Sequence, residues 1–153
     1  MKDMYSCIRI AHILDAKNIT NHTDIGSDYI DLAGWESATA FVNFGALTNQ
    51  DANNWVIPVL QSCDSAPGTN VSWAAVPAAD INGAFAAVNS ASTDQCTQAV
   101  GYKGSKRYLR ILLDFTSAGA NPDNCNVSAG VILCAARHGV ASDQSLTIGT
   151  STA

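Results

Sequence analysis

Charged side chains are scarce in this sequence. Lys, Arg, Asp and Glu together make up 14% of its 153 residues, about half of the roughly 25% found in an average soluble domain. Because apolar residues reach 47%, the surface must consist largely of Ser, Thr, Asn, Ala and Gly, a composition common on proteins that stay packed against neighbours. The net charge of −5 argues against the basic face that nucleic acid requires, so we expect no nucleic-acid partner.

Long apolar runs are also missing. No stretch approaches the roughly 18 apolar residues of a membrane-spanning helix, which predicts no membrane partner. The first 17 residues contain Lys2, Asp3, Arg9 and Asp15, and these charges interrupt the apolar segment that a secretory signal needs. We therefore expect synthesis in a cytoplasm.

Motifs that carry catalysis or hold a cofactor are absent as well. The sequence contains no G-x-S-x-G nucleophile motif, no glycine-rich phosphate loop and no D-x-D-x-D calcium loop. His12, His22 and His138 do not neighbour a nucleophile motif, and the Asp residues lie in turn-forming stretches, where carboxylates bond to nearby backbone N–H groups. We predict no catalytic, metal-binding or cofactor-binding residue and no enzyme activity.

Cysteine occurs five times without forming a C-x-x-C pair or a zinc-binding spacing. Two interpretations stay open. Either the cysteines are small buried apolar residues of a protein in a reducing cell, or one or two disulfides form later, outside the cell, and leave one thiol unpaired. The candidates for pairing are Cys63, Cys96, Cys125 and Cys134.

Alternation of apolar and other residues is what the sequence does contain, and it is typical of strands with one face on a core. The apolar positions of the three best alternating stretches are Ala38, Ala40, Val42, Phe44, Leu109, Ile111, Leu113, Phe115, Val127, Ala129, Val131 and Leu133. Turn-forming clusters separate these stretches, and no convincing long helix is present. We predict an all-β fold, an antiparallel β-sandwich or barrel of about 6–8 short strands.

Local patterns refine this prediction. Pro58, inside the strand expected at residues 55–63, predicts an edge position or a bulge, since proline cannot donate to the ladder. A short strand is predicted at residues 84–88. The segments QCTQAVGY and GSKRYLRILLDF are predicted to form a hairpin, whose solvated turn carries the basic cluster of Lys103, Lys106, Arg107 and Arg110.

The two ends of the chain are the least regular parts. Residues 1–28 alternate only briefly before a turn-like stretch, which predicts an extended N-terminal arm with room for one strand. The β-sandwich domain is predicted at residues 29–140, and the small, polar residues 141–153 are predicted to form a loosely held C-terminal tail. A partly apolar arm needs a surface to lie on, either its own domain or a neighbour. Ile8, Ile10, Ile13 and Leu14 are its candidate contacts with a partner, by strand addition or by burial in a groove.

Four stretches occur in a recognisable order: YIDLAGWESATAFVNFGAL, VLQSCDSAPGTNVSWAAVPAADINGAF, VGYKGSKRYLRILLDF and GVILCAARHG. They cover roughly residues 29–139 and resemble a family of small tailed-bacteriophage head decoration (cement) proteins, encoded near the major capsid protein. GYKGSKRYLR is the strongest piece of the resemblance. The chain departs from the family where the usual LQ-SDDG reads LQSCDSAPG, with Cys63 inserted at the strand end.

The resemblance implies a virion structural protein that is made in the host bacterial cytoplasm and binds the outer capsid surface, which it stabilises. Its partners would be the major capsid protein and neighbouring copies of itself, as a homo-oligomer. Trp35, Trp55 and Trp73 are candidate contacts because Trp is enriched at interface hot spots, and core packing is an equally good alternative for each. The alternative functions are another virion component (tail tube, tail terminator or head fibre protein) or an extracellular ligand-binding β module.

Overall fold

The computed structural model describes residues 8–20, 23–48, 55–65, 71–89, 95–115, 124–136 and 148–149. Within these ranges the chain forms ten strands and a short 3-10 helix at Ala78–Asp80. The strands are β1 (Ile8–Ile19), β2 (Ile25–Asp31), β3 (Trp35–Thr48), β4 (Ile57–Cys63), β5 (Ala74–Ala75), β6 (Ile81–Asn82), β7 (Thr97–Tyr102), β8 (Tyr108–Asp114), β9 (Asn124–Ala136) and β10 (Ile148–Gly149). No helix in the described part of the chain is long and apolar enough to cross a membrane.

Two five-stranded sheets pack face to face. The first sheet has the order β1-β9-β3-β7-β6 and the second sheet has the order β10-β2-β8-β4-β5, and every pairing in both is antiparallel. Seven of the strands have six residues or more and three have two. The prediction of an antiparallel β-sandwich is therefore confirmed.

The core consists of the inward-facing residues of both sheets. All twelve apolar positions predicted from the alternation are at most 7% exposed, because successive side chains of a strand point to opposite faces. Burial of each large side chain among them contributes about 1.5–3 kcal/mol. The strongest sequence signal in the chain thus marks the central strands β3, β8 and β9.

The N-terminal segment belongs to the sandwich, which corrects the prediction of a separate arm at residues 1–28. Strand β1 pairs with β9 from Ile8 to Ile19, and Ala11, Ile13 and Leu14 are buried in the core. Register shifts follow His12 and Leu14, and such bulges interrupt the period of two that marks a strand in a sequence. Residues 1–7 lie outside the described residues.

The C-terminal segment also contributes a strand. Ile148 and Gly149 pair with Ile30 and Tyr29 of β2, so part of the predicted tail at residues 141–153 joins the second sheet. The other residues of that tail lie outside the described ranges. Sequence alone offers little signal here, because a two-residue strand is too short to show alternation.

The predicted hairpin around the basic cluster is wrong, because β7 lies in the first sheet and β8 lies in the second. Residues 103–107 cross from one sheet to the other at the end of the sandwich. Tyr102 fixes this crossover, since its hydroxyl accepts a hydrogen bond from Lys106 N (2.8 Å) and donates one to Lys106 O (3.3 Å). Both topologies bury the same faces of the two strands, so alternation cannot distinguish them.

The two other local predictions had different outcomes. Pro58 of β4 lies between a bridge of Val56 to Val88 and the short pairing of Gln61 and Ser62 with β5. Among the described residues Pro58 is paired on one side only, with Leu113 of β8, so the proline lies where β4 is locally unpaired, although β5 is the outer strand of this sheet. The strand expected at residues 84–88 is wrong: β6 ends at Asn82, and only Val88 forms a bridge.

Candidate functional site

Three aromatic rings and two guanidinium groups cluster on the outer face of the second sheet. Leu109 and Ile111 of β8 point into the core, so Tyr108 and Arg110 point to the other face. Tyr108 is only 6% exposed there, with Tyr29 and Arg107 packed against its ring. Tyr29 of β2 lies opposite Arg110, and Trp73 immediately precedes β5. We call Tyr29, Trp73, Arg107, Tyr108 and Arg110 the aromatic–arginine patch.

Ring and cation contacts hold the aromatic–arginine patch together. The Arg110 guanidinium carbon lies 4.7 Å from the centre of the Trp73 ring, and the Arg107 guanidinium carbon lies 5.1 Å from that of Tyr108. The Tyr29 ring lies 6.2 Å from Trp73 and meets Tyr108 edge-on at 5.9 Å. Each cation–π pair contributes about 0.5–2 kcal/mol, so the rings are held in place before any partner arrives.

Arg110 is the central cation of the patch. Its Nε donates to Oε1 of Gln61 on β4 at 2.8 Å. Burial lowers the pKa of Arg110, but an arginine side chain remains charged in proteins. Gly26 of β2 leaves room for it, since a Cβ there would lie 2.9 Å from Arg110 Nη1. The patch therefore presents a positive charge positioned by both flanking strands.

A bulge in β2 determines which residues of that strand face outward. The register shifts between Gly26 and Tyr29, and Ser27 turns inward, where it is 1% exposed. Its Oγ accepts a hydrogen bond from the Ile111 N–H (2.9 Å) and donates one to Asp28 O (2.6 Å). The serine hydroxyl thus satisfies a buried backbone donor, and Tyr29 reaches the outer face.

A bidentate ion pair joins the patch to a tight turn. Arg107 donates from Nε and Nη2 to the two carboxylate oxygens of Asp31, at 2.9 and 2.7 Å. Asp31 Oδ1 also accepts from the Ala33 N–H at 2.8 Å, and Gly34 takes a φ of +87°, which suits glycine. The DLAGW turn is thereby attached to the KGSKR crossover, two segments that also carry the family resemblance.

A cleft of about 570 Å³ lies between this turn and the crossover. Polar side chains on its wall include Glu36, Ser37, Asn82 and Lys103, and Trp35 adds an apolar surface. Lys106, also on the wall, forms an ion pair with Asp64. The cleft offers both hydrogen-bond donors and hydrogen-bond acceptors, which suits a polar ligand or a polar peptide segment.

Neutralising Asp31 tests the ion pair through its pH dependence. The Arg107 hydrogen bonds hold the pKa of Asp31 below its usual value, so this carboxylate stabilises the fold above the unfolded-state pKa of about 3.9 and loses that effect as the pH falls through the lower folded-state pKa. Since Arg107 is 55% exposed, we expect Asp31→Asn to lower the free energy of unfolding at pH 7 by at most about 1 kcal/mol. Urea denaturation of both proteins should give converging values at acid pH.

The control for this measurement is Asp64→Asn, which removes an ion pair whose two side chains are 50% and 60% exposed. We expect a smaller change at pH 7 from this variant, because screening by water weakens exposed pairs. A difference between wild type and Asp31→Asn that stays constant down to the lowest pH would contradict the role of the Asp31 charge.

The predicted contact residues fall into two groups. Ile13 and Leu14 are 2% and 5% exposed and pack in the core, which corrects their prediction as contacts. The sequence could not show this, because bulges hide the alternation of β1. Trp35 of β3 is 8% exposed, in agreement with core packing, the alternative that the sequence left open for it. Trp55 is half-buried ahead of β4 and Trp73 belongs to the patch.

The first two arm residues, Ile8 and Ile10, lie on strand β1 of the first sheet. They face outward, opposite Cys134 and Ile132 of β9, and Ile10 is 64% exposed. Sequence reasoning missed the patch as a unit, although Tyr108 and Arg110 occupy the outward positions of the best alternating strand. Their contacts with Tyr29 and Trp73 depend on the strand order β2-β8-β4-β5 of the second sheet.

The four cysteines predicted as disulfide candidates have free thiols in the structure. Cys63 and Cys125 are buried, and burial raises the pKa of the Cys125 thiol to about 12. Cys125 and Cys134 lie on the same strand, β9, about 30 Å apart at 3.4 Å per residue, which excludes a bridge within the chain between them. Cys63 and Cys125 thus fit the interpretation as small buried apolar residues.

The described residues contain no group of three or more His, Cys, Asp or Glu side chains placed to hold a metal ion. No protein-family model, curated protein or solved structure matches the chain. The resemblance to phage decoration proteins, which depends on four short stretches, remains a prediction. What the chain is shown to be is an antiparallel β-sandwich with an aromatic–arginine patch on one outer face.

Proposed function

We propose that this chain is a capsid decoration protein that binds the outside of a tailed-phage head and stabilises it. The observation that carries the proposal is the aromatic–arginine patch. Trp, Tyr and Arg are the residues most enriched at the hot spots of protein interfaces, and here they form one cluster on a chain in which only 14% of the residues are charged. The major capsid protein is the partner.

The patch favours binding because its groups are already ordered. Arg110 is held by Trp73 and Gln61, and Arg107 by Asp31 and Tyr108, so little side-chain freedom is lost when a partner docks. The adjoining cleft accommodates a polar segment of that partner. A partner surface of polar and apolar residues complements this cluster of rings and guanidinium groups, in which Arg107 is already paired with Asp31.

The mechanism is stabilisation by mass action. A protein that binds the mature shell and not the immature or disassembled one adds its binding free energy to the stability of the mature state. No chemical step is involved. Because many copies bind one head, a modest binding free energy per copy adds up to a large stabilisation of the shell.

The experiment is a binding measurement with purified heads of the phage whose genome encodes the chain. Wild-type protein should co-sediment with heads, and Trp73→Ala should bind at least about tenfold more weakly, since hot-spot truncations cost on the order of 2 kcal/mol. Phe41→Ala is the matched control, because it removes a half-buried aromatic side chain from the opposite outer face. Thermal unfolding verifies that both variants are folded.

Two outcomes would overturn the proposal. The first is that wild-type protein does not bind heads, and the second is that Phe41→Ala weakens binding as much as Trp73→Ala. Electron microscopy of labelled particles separates a head position from a tail tube, tail terminator or head fibre position.

The same patch favours a second candidate function, an extracellular ligand-binding β module that recognises saccharides. Trp73 and Tyr29 offer ring faces, and Gln61 and Arg110 offer hydrogen-bonding groups beside them. A glycan array distinguishes the two functions. Binding to a saccharide that depends on Trp73, without binding to heads, supports this second candidate.

A further inference from the structure

A polar groove of about 330 Å³ lies on the outer face of the first sheet, within the range of roughly 300–1,000 Å³ that is usual for small-molecule sites. Three neighbouring strands form it, β1, β9 and β3, with β9 in the middle. Its hydrogen-bonding side chains include Asn18, Asn43, Asn126 and Ser128, and we call it the asparagine groove. It shares no described residue with the aromatic–arginine patch or with the cleft beside that patch, so its chemistry needs a separate explanation.

Two β-bulges indent the sheet at the asparagine groove. The pairing of β1 with β9 shifts between Leu14 and Lys17, and the pairing of β3 with β9 shifts between Phe44 and Leu47. Both irregularities lie beside residues 125–129 of β9, one on each side. Because a bulge bends its strand and re-aims its side chains, the two bulges together account for a groove in the middle of a sheet face.

Gly45, within the bulge of β3, keeps the groove open. A Cβ at this position would lie 3.0 Å from the Asn126 Cβ, closer than the roughly 3.5–4.0 Å of an ordinary contact between carbon atoms. The φ of Gly45 is not in the left-handed region, so the backbone conformation does not require glycine there. The missing side chain therefore serves the space around Asn126.

Hydrogen bonds across the strands hold the polar groups of the groove in place. Asn18 Nδ2 donates to Oδ1 of Asn126, the residue opposite it on β9, at 2.9 Å. Thr97 Oγ1 donates to Asn43 Oδ1 at 2.7 Å. Asn43 Nδ2 in turn donates to Ser128 Oγ at 3.4 Å. A ligand would meet groups that are already oriented, which lowers the ordering cost of binding.

These bonds use only part of the hydrogen-bonding capacity of the groove. A carboxamide offers two donors and an acceptor oxygen, and a hydroxyl both donates and accepts. Among the described residues, Asn126 Nδ2 has no acceptor, Asn18 Oδ1 has no donor and the Ser128 hydroxyl hydrogen has no acceptor. Unused donors and acceptors thus lie side by side over three strands, about 10 Å at about 4.8 Å between neighbours.

The residues that line the groove select the chemistry of its ligand. Lys17 is the one charged residue among the described residues of the lining, so a phosphate or carboxylate group would find few of the cations that it requires. An added peptide strand would find no free edge, because β9 is paired on both sides. A saccharide fits, since each of its hydroxyl groups both donates and accepts, as neighbouring carboxamide groups do.

We propose that the asparagine groove binds a neutral saccharide built of hexopyranose units, with a disaccharide spanning the three strands. This site goes beyond the proposed function, because it lies on the first sheet whereas the aromatic–arginine patch lies on the second. A chain bound to a shell through the patch leaves the groove uncovered by that contact. We expect a dissociation constant on the order of millimolar, because hydrogen bonds to the saccharide replace hydrogen bonds to water.

Titration of the isotopically labelled chain, followed by NMR, tests the proposal. The probes are cellotetraose, maltotetraose, mannotetraose and chitotetraose at up to about 20 mM. At least one of them should shift the side-chain amide signals of Asn18, Asn43 and Asn126, whereas the signal of Asn82, exposed on β6 of the same sheet, should stay in place. If none of the four shifts these signals, or if inorganic phosphate shifts them and the saccharides do not, the proposal is wrong.

Asn126→Ala removes the central amide of the groove. Since Asn126 is exposed, the variant should fold as wild type, which thermal unfolding verifies, and should bind the saccharide about tenfold more weakly for the loss of two hydrogen bonds. Thr39→Ala is the matched control, because it removes a hydrogen-bonding side chain from the same face of β3 outside the groove. Equal affinities of Asn126→Ala and Thr39→Ala would contradict binding in the groove.

Trp73→Ala shows which face of the sandwich holds the saccharide. Binding that is lost in Trp73→Ala and unchanged in Asn126→Ala would place the saccharide at the aromatic–arginine patch and overturn the proposal. These titrations contain no heads, so a failure of saccharide binding leaves capsid binding through the patch standing. A failure of head binding, in turn, leaves the saccharide site standing.

Discussion

Leu133→Ala lowers the free energy of unfolding by about 2–5 kcal/mol, the range measured for truncation of a fully buried leucine. Leu133 is 0% exposed in β9, and β9 lies between β1 and β3, with partners along both sides. The cavity left by the lost atoms cannot collapse easily, because backbone hydrogen bonds hold the strand on both edges. Urea denaturation monitored by tryptophan fluorescence measures the loss.

The control is Ile132→Ala, one residue earlier on the same strand. Ile132 points to the outer face and is half-buried, so we expect it to cost about 1 kcal/mol or less, in proportion to the smaller area that it buries. Equal costs at the two positions would contradict the assignment of inner and outer faces in β9, and with it the register of the first sheet.

Gly130→Ala is the second change with a large expected effect, a loss of about 3 kcal/mol from overpacking. A Cβ at Gly130 would lie 2.5 Å from Phe41 Cζ and 2.7 Å from the backbone oxygen of Ala11. The Phe41 ring can turn aside, but the Ala11 oxygen belongs to the paired strand β1 and moves only with its backbone. We therefore expect the variant to distort the β1–β9 pairing, with faster hydrogen exchange in β1.

Gly101→Ala is the matched control, because Gly101 also lies within a strand of the first sheet. The nearest atom to a Cβ there is Asn82 Cβ at 3.5 Å, an ordinary contact, and its φ is not in the left-handed region. We expect a change of less than about 1 kcal/mol, with a stabilising sign if alanine restricts the unfolded chain. Equal losses from the two variants would show that glycine is needed for another reason.

The aromatic–arginine patch shows how far sequence reasoning reaches for this chain. Tyr108 and Arg110 alternate with the core residues Leu109 and Ile111, so their position on the outer face of the second sheet was predictable from the sequence. Their contacts with Trp73 and Tyr29 were not predictable, because these contacts require β2 and β4 to lie on either side of β8. The bulge that turns Tyr29 outward has no clear sequence signature, since Ser27 gains its role only from the Ile111 N–H across the sheet.

The N-terminal segment shows the opposite difficulty. Ile13 and Leu14 are adjacent and both buried, a pattern that departs from the strict alternation of a strand with one buried face and that a bulge produces. A prediction based on strict alternation therefore does not assign residues 8–19 to a strand of the sandwich and favours an arm instead. The predicted hairpin after Tyr102 is wrong for a related reason. The face of a strand that is buried follows from its own residues, whereas the sheet that a strand joins depends on contacts with residues distant in the sequence.

The sequence by itself determined the all-β class, the inward faces of β3, β8 and β9 and the position of Pro58 where β4 is paired on one side only. Each of these follows from side-chain polarity at a spacing of two or from the missing N–H of proline, which are local properties. Only the tertiary structure decided that β1 belongs to the sandwich, that residues 103–107 join the two sheets, and that rings and guanidinium groups from separate strands meet. All three features follow from the order of the strands in the sheets. That order depends on pairings between residues far apart in the chain, which local sequence patterns do not show.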